Sequence, residues 1–249
     1  MAKRNGKGET LQISQEHHSA SSFAPSFAED PFNLFLRSKA AGSSQEEMLR
    51  RNILALRRGP MRYRRNQVIA CEGDTTEYVF LVVSGVVRRC RTFRDGTRGI
   101  TAFHLPGEMF GWTYNAVHAL SVEAASDAIV LFIKRNALQA SAAQNTAMAN
   151  FLLAHTAAEL QSVQKRSLLM GRDAKFRLVS FLTDLASRME GSSQIELLMP
   201  HQDIADYLGM KIETLSRTIT GLERAGLIAR QSCRTLVVND SASLAKMLN

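Results

Sequence analysis

Cysteine is scarce in this chain. Cys71, Cys90 and Cys233 are the only three in 249 residues, and no two stand as CxxC. That excludes a disulfide framework, gives no zinc or iron–sulfur cradle, and suits a reducing cytoplasm. Long apolar runs are missing too. No stretch reaches the roughly 18 apolar residues of a membrane span. The opening MAKRNGKGETLQISQEHHSASSFAPSF lacks the apolar segment of a signal peptide. A nucleophile elbow, a P-loop, a dinucleotide fingerprint and an HExxH spacing are all absent, so the sequence offers no enzyme chemistry. Acidic residues are the minority, 23 Asp and Glu against 31 Lys and Arg, for a formal net charge of +8. An excess of that sign suits an anionic partner, nucleic acid or a membrane surface, without choosing between them.

What is present divides the chain by texture. Residues 1–30 are polar and rich in Ser, Ala and Gly, and read as a flexible arm. From about Asn66 to Lys134 short apolar runs alternate with turn signals: YVFLVVSGVVRRC broken at Ser84-Gly85, RTFRDGTRGITAF with Asp95-Gly96 at a hairpin turn, LPGEMFGW, and AIVLFIKR as a last buried strand. The spacing predicts a β-roll or sandwich, assigned here to residues 31–135. The cationic RRGPMRYRRN before it reads as a solvated face. After Lys134 a run without Gly or Pro, NALQASAAQNTAMANFLLAHTAAELQSVQKRSLLM, predicts one helix of more than thirty residues, with a hinge at Gly171, over residues 136–171. Ala149, Leu153, Ala157, Leu160 and Val163 form a narrow apolar stripe along it. Such a stripe could pack on the roll, but a helix this long outruns a small domain and suits a homodimer seam.

Residues 172–249 begin with a helix carrying Phe176, Val179, Leu182 and Leu185, broken at Gly191-Ser192-Ser193, then QIELLM as a short strand. DIADYLGMKIETLSRTITGLERAGLI follows, with LIARQSCRTLVVND as a closing hairpin. In it a first helix buries Ile204, Tyr207 and Leu208, and Gly209 allows a sharp turn into a second. On the second helix Leu215, Ile219 and Leu222 fall about 180 to 240° round from Glu213, at ~100° per residue, whereas Glu213, Ser216, Arg217 and Thr220 cluster on the opposite side. That outward face has what a major-groove reader requires. Arg217 can donate two parallel hydrogen bonds to guanine O6 and N7, Glu213 can accept from the cytosine amino group, and Ser216 lets the helix approach. The alternative is a solvated face on which Glu213 and Arg217 form an i,i+4 pair worth only about 0.2–0.5 kcal/mol. Helices followed by a ribbon make a winged helix-turn-helix, and with the basic charge the predicted partner is double-stranded DNA. Lys211, Thr214, Thr220 and Arg234 are candidate backbone contacts.

These motifs carry a resemblance. Gly73, Gly85, PGEMFG, the hinge stretch LLMGRDAKFRLVSFL and above all DIADYLGMKIETLSRTITGLERAGLI resemble the CRP/FNR family of transcription regulators from about Asn66 to the end. The resemblance implies an α+β chain: a cyclic-nucleotide-binding-like β-roll, a long dimerisation helix and a C-terminal winged helix-turn-helix. Glu213-x-x-Ser216-Arg217 is similar to the FNR-type reader, which implies TTGA-type half-sites in an inverted repeat. The detail is most similar to the FixK branch, whose members control low-oxygen and nitrogen-related genes. The resemblance also implies activation and RNA polymerase as a further partner. One residue departs from the family: Lys211 stands where Ser or Thr usually caps the reader helix.

The cofactor-binding members of the family hold a cyclic nucleotide with a Glu after the second glycine of G-E/D-x-x-G and with an Arg-Ser pair downstream. Here Trp112 follows Gly111 and the matching loop reads Ala119-Leu120, so cAMP binding is not expected. A four-thiolate iron–sulfur cluster has too few cysteines. His104, His118 and His155 keep haem open, a cyclic-nucleotide- or haem-sensing module of the same fold is the alternative, and the expected state is a regulator with no cofactor and no metal. Cys233, between Arg230 and Arg234, is a candidate redox site, because nearby cations favour the thiolate that oxidants attack.

Overall fold

The fold is described by a computed structural model covering residues 44–113, 115–189, 194–239, 244 and 246–248. The expected arm with its His17-His18 pair and the expected break at Gly191-Ser192-Ser193 lie outside these residues.

A short helix, α1 (Ser44–Ala55), precedes a roll of eight antiparallel strands: β1 (Arg57–Tyr63), β2 (Val68–Ala70), β3 (Tyr78–Ser84), β4 (Val87–Thr92), β5 (Arg98–His104), β6 (Met109–Phe110), β7 (Ser121–Ala124) and β8 (Ala128–Lys134). They form two four-stranded sheets, ordered β1-β8-β3-β6 and β2-β7-β4-β5. One face of the strands lines the interior of the roll, where Val82, Val87, Phe110, Ala124 and Val130 are fully buried, while β3 is buried on both faces, its Val79 joining a second cluster with Ile53 and Leu54 of α1. RRGPMRY, expected to be a solvated face before the roll, is its first strand. It remains mostly exposed, but its backbone pairs with β8 from Arg57↔Ile133 to Tyr63↔Ala128, with an irregularity between Arg58 and Met61. Charge hid the strand because edge strands carry charge for protection. The Asp95-Gly96 turn joins β4 to β5, with Asp95 accepting from the Thr97 amide and Gly96 at φ +81°. Gly85 at φ +74° lies so close to Asp127 that a Cβ would stand 2.0 Å from its carbonyl oxygen, so only glycine fits the β3–β4 turn.

The single long helix expected after the roll is two helices, α2 (Arg135–Gln144) and α3 (Thr146–Leu169). Asn145 interrupts them in an extended conformation and caps α3, its side-chain oxygen accepting from the Ala147 and Met148 amides. An Asn cap inside an alanine-rich run has no Gly or Pro to announce it. Met148 and Leu152 on α3 are buried against the roll. Leu153 (70% exposed), Leu160 (58%) and Val163 (61%) are left open to solvent. Ala157 is exposed and Ala149 half-buried on the same stripe.

A second cap, Asp173, accepts from the Phe176 amide and starts α4 (Ala174–Arg188) just past Gly171. Val179, Leu182 and Leu185 are buried and Phe176 is half-buried beneath Arg172. The strand β9 (Gln194–Glu196), the helices α5 (His201–Leu208) and α6 (Ile212–Arg224), and the strands β10 (Ile228–Arg230) and β11 (Thr235–Val238) complete the chain. The expected two-stranded ribbon has a third member, since β9 pairs with β11 in the order β10-β11-β9.

The two lobes share one core. Val86, Ile100, Phe103 and Leu105 of the roll belong to the same buried cluster as Leu178, Leu182, Ile204 and Leu222. His104 closes β5 in that region, stacked 4.2 Å from Phe110. Burial pushes its pKa well below 6.5, and the charges of Arg89 and Arg188 act in the same direction. The folded protein therefore holds His104 neutral, whereas the unfolded chain takes up a proton as pH falls through about 6.5. The contribution of His104 to stability is therefore full above that pH and is lost below it. Thermal melting between pH 7.5 and 5.5 should show a falling midpoint in the native protein and a shallower fall in His104→Phe. Equal slopes would show that this imidazole is not held neutral.

Candidate nucleic-acid interface

The reader helix is defined by what it buries. Leu215, Ile219 and Leu222 of α6 are 1%, 2% and 0% exposed. At about 1.5–3 kcal/mol for each buried side chain they contribute on the order of 5–9 kcal/mol, an upper figure for burial from an extended chain. The other end of the ledger is the missing cap. Lys211 occupies the N-cap position and makes no side-chain capping bond. That loss is about 1 kcal/mol, so burial decides and the helix forms. Gly209 makes the preceding turn in the left-handed region at φ +61°, where its amide closes the end of α5 onto Asp206.

With one side fixed, the other is presented to solvent. Glu213, Ser216 and Arg217 are all exposed, Lys211 is exposed beside them, and Thr214 and Thr220 are half-buried at the margins. Among the described residues Glu213 and Arg217 form no ion pair with each other. Arg217 Nε instead donates to the backbone carbonyl of Glu213 at 3.3 Å, leaving the Glu213 carboxylate to other partners. The face thus carries a fork of donors and a carboxylate one helical turn apart.

Beside it stands the wing. β10 and β11 pair from Ile228↔Val238 to Arg230↔Leu236, and the Gln231 amide donates to the Thr235 carbonyl at the turn. Cys233 and Arg234 are exposed in that turn. Arg230 is bound to Glu223 at 3.2 Å, so one of the two cations expected to favour a Cys233 thiolate is already paired. Cys90 is the opposite case: it is buried, and burial pushes its thiol up to about 11, away from the reactive thiolate.

The loop that would hold a cyclic nucleotide does not fit one. Ala119 is exposed and Leu120 half-buried, and neither can pair with a phosphate. Arg91, which donates to the Ala119 carbonyl, is already paired with Glu72 at 2.6 Å. The three histidines are not gathered. His118 packs near Phe80, whereas His104 and His155 line a cavity of about 900 Å³ between the roll, α3 and the C-terminal lobe. Burial lowers the pKa of all three. Among the described residues no group of three or more His, Cys, Asp or Glu could hold a metal ion, and no helix is long and apolar enough to cross a membrane.

Sequence reasoning missed the contacts that hold the reader lobe to the roll. Arg88 on β4 is 2% exposed and binds Asp203 on α5 at 2.5 Å and Glu123 on β7 at 2.6 Å. Arg98 on β5 also binds Asp203, and reaches Asp206 at 3.4 Å. Arg188 of α4 grips Glu108 with Nε at 2.8 Å and Nη2 at 2.7 Å. Arg166 of α3 donates to the Ile100 and Tyr207 carbonyls and lies 4.8 Å over the Tyr207 ring. Arg88 and Asp203 are 115 residues apart, and no local pattern marks either as a buried partner.

Comparisons with known proteins assign both lobes to known domain families. Residues 60–145 match the cyclic nucleotide-binding domain family and residues 176–247 the Crp-like helix-turn-helix domain family. The chain is 40% identical over 215 residues to the nitrogen fixation regulation protein FixK of Azorhizobium caulinodans, covering 84% of this chain and 87% of that one. It is 29% identical over 191 residues to the transcriptional activator protein FnrL of Cereibacter sphaeroides, covering 73% and 77%. Among solved structures, FixK2 from Bradyrhizobium japonicum superposes with a TM-score of 0.73 at 35% identity, over 76% of this chain and 96% of that one. The protein defined by this fold and these matches is a DNA-binding transcription regulator, not an enzyme. It belongs to the CRP/FNR family, on the FixK branch.

The uncapped reader gives a direct test. Lys211→Thr restores a capping oxygen and removes a cation from a helix N-terminus. It should raise the melting temperature of the free protein by a few degrees, ~1 kcal/mol. A lower melting temperature would contradict this account of the N-cap.

Proposed function

We propose that the protein binds DNA as a homodimer, reading a TTGA-type inverted repeat with Glu213, Ser216 and Arg217 and, as a rule, activating transcription through RNA polymerase. The observation that carries this reading is the exposure of those three side chains on the face of α6 opposite buried Leu215, Ile219 and Leu222. The arrangement suits Arg217 for the guanine and Glu213 for a cytosine amino group across the half-site. Lys211, Thr214, Thr220 and Arg234 are assigned to phosphates. The exposed stripe of Leu153, Leu160 and Val163, with Ala157 and half-buried Ala149, supports the dimer, because a row of exposed apolar side chains on a helix needs a cover. The names of the FixK relatives support a role in nitrogen-related genes, and that of FnrL supports activation. Control through the amount or modification of the protein, rather than a cofactor, fits the loop at Ala119-Leu120. Cys233 at the wing tip is the candidate for modification, since a sulfinate there would repel phosphate.

Gel shift tests the reading. The native chain should bind a TTGA-type inverted repeat, and added cAMP should change nothing. Arg217→Ala should lose about 1–3 kcal/mol on the repeat and relax preference at the guanine, whereas Arg234→Ala weakens all sequences alike. Peroxide should weaken the native chain and leave Cys233→Ala unaffected. Equal binding of the native chain to the repeat and to a scrambled duplex would refute the reading.

A further inference from the structure

Asp203 lies on α5, the helix on which the reader packs, yet it points away from the reader and into the roll. Its side chain is 3% exposed. One carboxylate oxygen accepts from Arg88 Nη1 at 2.5 Å and the other from Arg98 Nη2. Arg88 is saturated on its other side, with Nε and Nη2 on Glu123 and Nη2 also on Asn66. Burial strips water from the Arg88 guanidinium, but Glu123 and Asp203 outweigh that and hold it charged. Arg98 adds a strand from the neighbouring β5, with Asp206 as its second partner. The carboxylate is therefore held by two strands at once, in directions fixed by two planar guanidinium groups. A shared apolar core resists separation of the lobes but is non-directional, whereas bonds of this kind fix an angle.

We propose that the Arg88–Asp203–Arg98 clasp is the positioning element that sets the angle of the reader helix to the roll, and that Asp203 and Arg98 thereby determine which half-site spacing the dimer accepts. This rests on the dimeric reading above. Two readers on one dimer must meet the major groove about one helical turn apart. One added base pair turns the second half-site by about 35° and moves it by ~3.4 Å along the axis. A lobe held in one orientation cannot follow that change, whereas a lobe without the clasp, kept by its apolar core, the Gly171 region and the remaining Arg188–Glu108 pair, has more freedom to follow it. The clasp joins Asp203 to the roll and makes no bond to Glu213, Ser216 or Arg217, so on this proposal recognition of the half-site itself is independent of it.

The test uses full-length protein carrying Arg98→Gln or Asp203→Asn, titrated by fluorescence anisotropy against three duplexes. One has the inverted repeat at the spacing the native chain binds best, and the others have the same half-sites one base pair closer and one farther apart. The native chain should discriminate among them by about tenfold or more. In both variants that discrimination should shrink by about tenfold, ~1.4 kcal/mol, with guanine preference within the half-site kept, and Arg98→Lys should restore most of it. Equal weakening on all three duplexes, the mark of a merely structural role, would overturn the proposal, as would unchanged discrimination. Arg98→Gln decides alone if Asp203→Asn, which strands Arg88, shows no melting transition. A native chain that binds the repeat but ignores spacing overturns only this proposal. One that binds no inverted repeat at any spacing overturns the dimeric reading and the proposal with it.

Discussion

The exposure of the reader depends on one act of burial. Leu215, Ile219 and Leu222 leave water along a single side of α6, and the remaining side has no choice but to face out. The helix begins without a cap and with a cation at its N-terminus, and it contains a glycine at position 221. Each of these local features opposes helix formation by about 1 kcal/mol. They are tolerated because the apolar contribution is several times larger. Residues on the outer face are thereby relieved of structural duty and can be chosen for chemistry.

Charge works differently in the two halves of the molecule. On the reader and the wing, cations stay in solvent, where they can meet phosphate and where salt weakens them. Between the lobes, Arg88 is buried and Arg98, Arg166 and Arg188 are half-buried, each matched to carboxylates, carbonyls or a ring. A buried pair of this sort adds little net stability against an apolar replacement, but losing one partner is severe. What it supplies is direction. That makes the interface between the lobes selective for one arrangement.

Much of this was legible in the sequence, because the features that show it are local. Alternation and turn residues marked the strands from Tyr78 onward, and the 3.6-residue spacing separated Leu215, Ile219 and Leu222 from Glu213, Ser216 and Arg217. The misses have a common cause. Asn145 interrupts a run whose propensity favours one continuous helix, and its capping bonds exist only once the chain has folded there. The strand at Arg57–Tyr63 takes its pairing from β8, some seventy residues later. β9 joins the wing through partners on β11. The clasp at Arg88 joins residues far apart in the chain, each of which reads as an ordinary surface charge by itself. Apolar patterning is written within each element, whereas the pairing of buried charges is written only in the tertiary fold.

The claim on which the functional account turns is that Arg217 touches the guanine of each half-site. Methylation interference tests it without relying on loss of affinity. Methylating guanine N7 removes the acceptor that an arginine fork requires. One guanine in each half-site should block binding of the native chain when methylated, and the same modification should have no further effect on Arg217→Ala. Interference at no guanine, or identical interference with the native and the Arg217→Ala proteins, would contradict the account.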